Sequence, residues 1–566
     1  MKLKEFCKQY FQNRLGVIGL GILIFFFLVA VFAPYIAPYD PYERVGAPLM
    51  APCAAHLLGT NDIGQDILSE IIYGTRISLI MGIAAAFIAV FIGSAVGIVA
   101  GYFGGRVDTV LMRIVDIVLT IPGTPLMILM VGVGLYLTIG TGFFQIRKFG
   151  TVLKKTIGEV FKKDSDSSQG EGQLKPYQAL STVLAGTVGS GNIAGVAAAI
   201  AVGGPGAVFW MWIIALVGMM TKMAEVTLSV AYRKKGENGE FYGGPMHYIR
   251  EGLGGGLGKF LGGFYAVALF VLVVTDACFV QTNTLATSAQ ETFGIPLIVS
   301  GVVLVALSVF IIVRGGVEKI GNFCGKVVPP MCILYIVGSL VVVIANIANV
   351  PEAFGMIFKY AFAPMPAVGG FAGSTLALAM GRGASRGIFS NEAGEGTAAT
   401  VHATAQTDHP VHQGMYGVLE VFIDTIVICT LTALAIITSG VWSSGATGAV
   451  LTLNAFETVW GQWGTYILCI AIILFTYSSY LGFFVEYRTS TEYLFGEKAL
   501  KYLQWFFFVP PILAVTMPIE AIWSLADMAV GFIVIPNMIA ILLLSKKFFG
   551  LFREYTGRLD KEKAKN

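Results

Sequence analysis

About thirteen apolar runs of membrane-spanning length divide this sequence of 566 residues. A segment surrounded by lipid must pair its own backbone N–H and C=O groups, which a helix does and an open strand does not. Only 13% of the residues are charged, against roughly 25% in soluble domains. The sequence therefore predicts an all-α polytopic membrane protein. The runs lie at about 16–37, 77–101, 123–145, 178–202, 207–231, 260–287, 295–313, 327–348, 368–381, 414–438, 464–485, 501–517 and 520–544.

Basic loops alternate with loops that hold almost no basic residue from the third run onward. Cytoplasmic loops carry an excess of lysine and arginine, so this alternation predicts a cytoplasmic C-terminus. A net charge of +3 is too small to indicate a nucleic-acid partner. The basic loops are 147–163, 232–250, 314–326, 382–386, 486–501 and the tail from Lys546. The alternate loops are 288–294, 349–367 and 439–463, which share the single basic residue Lys359.

The run at 178–202 is interrupted near its middle by glycines and by the polar side chains of Thr187, Ser190 and Asn192. A helix that breaks inside hydrocarbon leaves backbone groups without partners, unless it lines a polar cavity. Glycines also permit close packing of membrane helices, which is the alternative interpretation. The polar side chains between the glycines favour the break, and a substrate or an ion is the expected occupant of the cavity.

The two half-helices of a broken span present ends of opposite partial charge. We expect the backbone amides of Ser190 and Gly191 to receive a carboxylate. Carbonyl groups near Ala185 and Val188 are the expected ligands of a cation.

A second interrupted segment lies at 370–383. Two broken helices in corresponding places of two repeats are the signature of an inverted-repeat transporter. Phe371 and Thr375 would then face the same cavity as the first break. Three residues that follow are candidates for an inner gate, although capping or loop packing is an equal alternative for the last two. These gate candidates are Arg386, Asn391 and Glu392.

The first 125 residues contain three short motifs of another kind. They are NRLG at 13–16, LGTN at 58–61 followed by GQD at 64–66, and MRIVD at 112–116. Residues of about 10–125 thereby resemble the permease subunit of bacterial ABC transporters for dipeptides and oligopeptides. The coupling helix that such permeases use to engage an ATPase has no counterpart downstream, and the sequence contains no GxxxxGK[ST] phosphate loop. An ABC ATPase is therefore not an expected partner.

Residues of about 123–545 carry a longer series of motifs. They are GLYLTI at 134–139, TGFFQIR at 141–147, GSGNIAG at 189–195, GGPGAVFWMW at 203–212, GGPM at 243–246 and RGIFSNEAG at 386–394. This part resembles the alanine or glycine:cation symporter family. The resemblance implies a leucine-transporter-like core of two inverted five-helix repeats, preceded by one helix. It also implies import of alanine or glycine with sodium, by alternating access, across the inner membrane of a bacterial-type cell.

The resemblance also assigns roles to polar residues of the core. Adjacent hydroxyls on the eighth core helix complete a sodium position in this fold, and Ser478 and Ser479 occupy that place. Bonding of these serines to the preceding turn is the alternative. The expected sodium-binding residues are Ala185, Val188, Phe475, Ser478 and Ser479. The expected substrate-binding residues are Thr187, Ser190, Gly191, Asn192, Gln281, Phe371 and Thr375.

Some polar residues keep two interpretations. Gln281 contacts either the substrate or a neighbouring helix. Asp276 is either proton-sensitive or paired with a nearby polar group, and we favour pairing. The seven cysteines lack CxxC spacing and the five histidines lack ligand spacing. We expect no enzyme activity, no organic cofactor and no metal other than sodium as the coupling ion.

The expected organisation has three parts. Residues 1–122 form a truncated permease-like segment of two or three spans, 123–545 a symporter domain of about eleven spans, and 546–566 a basic cytoplasmic tail. If the N-terminus is cytoplasmic, joining the first two parts requires a further crossing at about 107–121, which contains Arg113 and Asp116. Two alternatives remain open: a membrane subunit of an ABC peptide transporter, and a non-functional fusion product.

Overall fold

The computed structural model describes residues 14–41, 43–47, 50–61, 64–76, 124–160, 171–236 and 241–565, with scattered residues between 79 and 108. The chain divides into two compact units, Met1–Val118 and Leu119–Asn566. Four predicted features lie wholly or largely outside the described residues: Asn13, the run at 77–101, the further crossing at 107–121 and the motif at 112–116.

The first unit contains helix α1 (Arg14–Ile36) and a folded polar loop. His56 Nδ1 lies 2.9 Å from Asp66 Oδ1, and Asp66 Oδ2 accepts hydrogen bonds from the Ser69 amide and hydroxyl. Burial raises the pKa of the Asp66 carboxyl, but the hydrogen bonds from His56 and Ser69 outweigh burial, so the pKa is lowered. The motifs at 58–61 and 64–66 therefore form a compact, hydrogen-bonded loop.

In the second unit, the described residues form helices, one short antiparallel pair of strands and the loops between them. It begins with α2 (Thr124–Gly140), followed by the short helices α3 (Phe144–Arg147), α4 (Phe149–Lys155) and α5 (Ile157–Val160). Two successive sets of helices follow.

The first set starts with an interrupted helix. Its members are α6 (Pro176–Thr187) with α7 (Val196–Gly203), α8 (Ala207–Ala231), strands β1 (Lys234–Lys235) and β2 (Phe241–Tyr242), α9 (Pro245–Leu253), α10 (Gly255–Val273) with α11 (Thr282–Phe293), and α12 (Leu297–Ala345). Helix α12 is two helices joined at Gly316, whose φ is 55°. Leaving aside the short α9, this set has five spans.

The second set follows α13 (Val350–Tyr360) and again starts with an interrupted helix. Its members are α14 (Leu376–Asn391) with α15 (Thr397–His402), α16 (Pro410–Val421) with α17 (Thr430–Thr438), α18 (Gly448–Trp460), α19 (Gln462–Phe495), α20 (Glu497–Leu503), α21 (Pro510–Ala514) and α22 (Ile519–Leu543). The two sets, each opening on an interrupted helix, and the preceding α2 confirm the predicted all-α polytopic fold class with one leading helix.

Six described helices are long and apolar enough to cross a membrane, or seven if the bent pair α6–α7 is one span. Three shorter apolar helices, Ile24–Ile36, Leu126–Gly140 and Leu297–Val313, come in addition. The protein is thus a multi-pass membrane protein.

The apolar run at 501–517 does not form the continuous spanning helix that we predicted. Helix α20 ends at Leu503, a 3₁₀ turn covers Phe506–Phe508, and α21 occupies only Pro510–Ala514. Pro510 and Pro511 lack backbone N–H groups, so a helix running in from the preceding residues loses two of its hydrogen bonds there. Apolar composition alone did not reveal this interruption.

The last helix, α23 (Ser545–Lys565), covers the segment that we predicted as a basic tail. Phe548 and Phe552 on its inner face are buried, and the Phe552 ring meets the Phe144 ring edge-on at 5.1 Å. The segment is therefore a docked helix, and its basic residues Lys546, Lys547, Arg553 and Arg558 are exposed.

Helix α19 packs closely on α6, and a glycine makes this possible. A Cβ atom at Gly482 would lie 3.2 Å from the backbone nitrogen of Gly186 and 3.3 Å from the carbonyl oxygen of Thr182. Both neighbours are backbone atoms, which cannot move aside without distorting α6.

We expect Gly482→Ala to lower the free energy of unfolding by about 1–3 kcal/mol, because the added methyl group overpacks this contact. Gly355→Ala is the matched control, since a Cβ there meets no atom within 4 Å. Thermal unfolding of both variants in detergent measures the difference. Equal melting temperatures would contradict the close α6–α19 contact.

Candidate functional site

The first interrupted helix unwinds where the glycines and polar side chains predicted it. Helix α6 ends at Thr187, and its axis makes an angle of 48° with the helical segment that begins at Gly191. The Gly189 amide donates to Asn192 Oδ1 at 2.9 Å, and the Ser190 amide donates to Gln281 Oε1 at 3.2 Å. Side chains therefore take up two amides that the break leaves without helical partners.

Gln281 links the break to the third span of the first set. Its Nε2 donates to Asp276 Oδ1 at 2.8 Å, while its Oε1 accepts from the Ser190 amide. A π-helical turn, Val274–Gln281, places the two side chains together. Asp276 is thus paired with a nearby polar group, the interpretation we favoured, and Gln281 makes the inter-helix contact of its second interpretation.

Asp424 lies at the centre of the site, and we did not single it out from the sequence. Its carboxylate is fully buried and accepts from Asn192 Nδ2 at 2.6 Å, from Ser390 Oγ at 2.8 Å and from Thr425 Oγ at 2.7 Å. All three partners are neutral. A buried carboxylate with only neutral partners is unfavourable, and binding a proton or a cation relieves that cost.

The sequence did contain a signal for this residue. Asp424 lies in the apolar run at 414–438, where an acidic side chain is costly and marks a functional site by default. A π-helical turn, Phe422–Cys429, turns its side chain to Asn192 and Ser390. The thiol of Cys429 completes the group, 3.1 Å from Ser390 Oγ.

The second interruption does not lie at 370–383. Helix α14 runs unbroken from Leu376 to Asn391, and the break covers 392–396, where Glu392, Gly394 and Gly396 all have positive φ. The two glycines adopt these angles without a steric penalty, which ends the helix there. Ser390, just before this break, faces Asp424 and lies against Gly191 of the first break.

Phe371 and Thr375 lie away from this centre. The Phe371 ring is buried 5.7 Å from the Trp442 ring and beside Gly204, the residue that follows α7. Thr375 is exposed, and its hydroxyl caps α14 by accepting from the Leu378 amide at 3.2 Å. The structure therefore separates these two residues from Ser190 and Asn192.

Three of the predicted sodium ligands lie at the first break: Ala185, Val188 and Ser479. Ala185 and Val188 are buried, and Ser479 Oγ lies 2.5 Å from where a Cβ on Gly189 would be. The hydroxyls of Ser478 and Ser479 both donate to the Phe475 carbonyl, at 2.9 and 3.0 Å, which is the alternative bonding to the preceding turn. These hydroxyls leave their oxygen lone pairs available beside the break. Thr187 likewise donates to the carbonyl of Val183 at 3.2 Å.

Two of the three gate candidates, Arg386 and Glu392, fall on opposite sides of the break. Arg386 pairs with Asp527 at 2.8 Å, and its guanidinium lies 4.2 Å from the centre of the Trp523 ring, on the α7 side near Gly195. Glu392 lies on the α6 side, with Oε1 4.0 Å from where a Cβ on Gly186 would be.

Asn391 lies between these two gate candidates. Its side chain bonds to Thr425 Oγ at 3.1 Å and caps the Ala393 amide at 3.0 Å. The capping alternative that we raised for Asn391 is therefore present in the structure.

The arrangement places the amides of the break and the acidic side chain of Asp424 on either side of one residue, Asn192. Asn192 accepts from the Gly189 amide and donates to Asp424, so the amides of the break and the carboxylate are bridged by one short amide group. Amide donors attract a carboxylate and Asp424 attracts a cation. The site thus suits a small molecule that carries both charges.

Known proteins share sequence with both parts of the chain. Residues 2–52 match the N-terminal transmembrane domain of oligopeptide transport permease C, and residues 107–566 match the sodium:alanine symporter family. These matches confirm the two resemblances seen in the motifs. A structure of MhsT in complex with L-phenylalanine is similar with a TM-score of 0.47 and 15% identity, covering 66% of this chain and 89% of that one.

Relatives of the second part align over most of their length. The uncharacterized transporter YflA of Bacillus subtilis is 43% identical, over 76% of this chain and 91% of the relative. The sodium/alanine symporter AgcS of Methanococcus maripaludis is 38% identical, over 75% and 92%. The probable sodium/glutamine symporter GlnT of Bacillus subtilis is 36% identical, over 76% and 87%. The chain therefore belongs to the sodium:alanine symporter family.

Proposed function

We propose that the protein imports a small neutral amino acid, alanine or glycine, together with sodium, and that its C-terminus is cytoplasmic. The buried carboxylate of Asp424, bridged by Asn192 to the amides of a broken helix, is the observation that carries this function. A zwitterionic amino acid needs both an anion and hydrogen-bond donors, and the break offers them side by side. The relative AgcS, described as a sodium/alanine symporter, supports the choice of solute and ion.

The carboxylate of the solute binds at the amides of Ser190 and Gly191. The Ser190 amide donates to Gln281 in this structure, so the entering carboxylate displaces or shares that bond. Thr187 and Asn192 line the same turn. The ammonium group binds Asp424, whose three neutral partners leave its charge uncompensated.

The size of the solute is limited by the contact between the two breaks. A Cβ on Gly191 would lie 3.2 Å from Ser390 Cα and 3.3 Å from the Phe389 ring, which itself packs on Trp523 at 4.8 Å. Little space remains beside the backbone for a solute side chain. A methyl group or a hydrogen atom fits this restriction best.

Sodium binds on the other side of the unwound turn. Its ligands are the carbonyl groups of Ala185 and Val188 with the hydroxyls of Ser478 and Ser479, near the Phe475 carbonyl to which those hydroxyls donate. Neutral oxygen ligands hold a monovalent cation without trapping it. Because sodium and solute both stabilise the same unwound turn, each increases the affinity for the other. Alternating access then moves both across the membrane.

The first 52 residues raise a second candidate, a membrane subunit of an ABC peptide transporter, because they match a permease domain. The full-length chain and a version beginning at Gly123 distinguish the two candidates. Sodium-driven alanine uptake by both versions supports the symporter. Uptake by the shorter version alone identifies the full-length chain as a non-functional fusion product.

Liposomes that contain the purified protein are expected to accumulate labelled alanine when sodium is outside. Uptake is expected to stop when choline replaces sodium. The expectation follows from shared stabilisation of the break by ion and solute. Uptake that ignores an imposed sodium gradient would contradict sodium coupling.

Asp424→Asn is expected to raise the KM for alanine about tenfold or more, since loss of the counter-charge removes at least ~1.4 kcal/mol of binding free energy. Glu457→Gln, an exposed acid on α18, is the control and leaves KM unchanged. Initial uptake rates at saturating sodium measure the effect. An unchanged KM in Asp424→Asn refutes the ammonium contact.

Ser479→Ala is expected to raise the sodium concentration for half-maximal uptake roughly tenfold, equivalent to ~1.4 kcal/mol. Ser490→Ala is the matched control, because Ser490 lies on the same helix and also donates to the preceding turn, to the Tyr487 carbonyl. Sodium titrations of alanine uptake compare the two. Equal shifts in both variants would mean that Ser479 has only a structural role.

A further inference from the structure

Five buried glutamates surround the second break on the α6 side, and we call them the carboxyl cluster: Glu225, Glu392, Glu395, Glu420 and Glu486. Three of them lie inside helical segments long enough to span the membrane: α8, the segment Pro410–Thr438 that contains α16 and α17, and α19. Each of the five is at most 3% exposed. None of these residues has a role in the solute site described above.

Among the residues that the structure describes, the positive groups near the cluster are too few to balance these carboxyl groups. Lys222 lies 3.0 Å from Glu420, and His402 lies 3.4 Å from the other oxygen of the same carboxylate. Even with His402 charged, two positive charges would face five negative ones if every glutamate were ionised. Such an excess of buried charge in a membrane requires protons or cations.

Several carboxyl oxygens also lack a hydrogen-bond partner within residues 124–160, 171–236 and 241–565. They are Glu225 Oε2, Glu395 Oε1 and Glu486 Oε2. The opposite oxygen of Glu225 accepts from Asn537 Nδ2 at 2.7 Å, and Glu392 accepts from the Thr397 hydroxyl. The carboxyl groups thus bond to separate partners instead of converging on one point. Separate carboxyl groups suit protons better than a shared metal ion.

Groups from every neighbouring helix face this region. Glu395 and Glu486 interact electrostatically with each other and with Glu392, and Lys222 attracts both. The titratable or charged groups around them are Lys222 and Glu225 of α8, Tyr248 of α9, Tyr265 of α10, Asp276 of the π-helical turn after α10, Glu392 of the break, His402 of α15 and Glu420 of α16.

We propose that the carboxyl cluster is a proton-binding site in which Glu395 and Glu486 are protonated while the cluster is buried. Opening of the break at 392–396 toward water on the α6 side lets each carboxyl O–H bond break, so that the proton passes to water and a carboxylate remains. Reclosure takes a proton back from water. Glu392, beside Gly186, connects this exchange to the solute site. The proposal does not depend on which solute is transported.

Infrared spectroscopy of the full-length protein at neutral pH tests the proposal without any solute. The spectrum is expected to show the C=O band of protonated carboxylic acids. Glu395→Gln and Glu486→Gln are each expected to reduce its area by the equivalent of one carboxyl group. Glu352→Gln, an exposed acid on α13, leaves the band unchanged. A jump to alkaline pH removes the band more slowly than mixing, because the cluster must first open.

Absence of the band in the wild-type protein overturns the proposal, and this result requires no variant to fold. A band that both glutamine variants leave unchanged overturns the assignment to Glu395 and Glu486. A band that appears only when choline replaces sodium shows that sodium, not a proton, balances the cluster, and also overturns it. Loss of the band within the mixing time refutes the link to opening.

Discussion

A helix that stops inside a membrane must find polar partners for its backbone N–H and C=O groups. In this protein the side chain of Asn192 provides the central partner. It accepts from the Gly189 amide and donates to the buried carboxylate of Asp424. Gln281 makes the second such link, from the Ser190 amide to Asp276. Each link ties the first break to another helix. The positions of the central residues therefore follow from how the break is satisfied.

The centre is flanked by two different ionic arrangements. On the α7 side, Arg386 is paired with Asp527 and covered by Trp523. On the α6 side lies the carboxyl cluster, with Lys222 paired to Glu420. Arg386 and the partly exposed Asp527 compensate each other's charge, whereas an excess of buried carboxyl groups depends on what neutralises it. We therefore expect the entry of water to affect the ionisation of the groups on the α6 side differently from that of the groups on the α7 side.

The sequence predicted the fold class and the first break because both depend on local composition. The length of each apolar run predicts a spanning helix, and the glycines next to Ser190 and Asn192 predict the interruption. We predict the second break at 370–383, too early in the chain, although the sequence also shows the glycines and acidic residues of 392–396. Glycines also occur at 370–383, and only the packing of α14 on the first break shows that a continuous helix begins at Leu376.

Side-chain contacts between distant segments were the hardest part to predict. Asn192 and Asp424 are separated by 232 positions, and a π-helical turn sets the direction of the aspartate. Phe371 was expected at the centre but lies beside Trp442, because the chain before α14 is a loop and not a half-helix. Docking of α23 through Phe552 depends equally on a distant partner, Phe144.

The central claim is that the two charged ends of one amino acid are held by the amides of the break and by Asp424. Competition against labelled alanine in the presence of sodium tests it directly, with ethylamine, which lacks the carboxylate, and propionate, which lacks the ammonium group. The account predicts that glycine displaces alanine and that neither single-ended analogue does at the same concentration. Displacement by propionate as effective as that by glycine would contradict the role of Asp424.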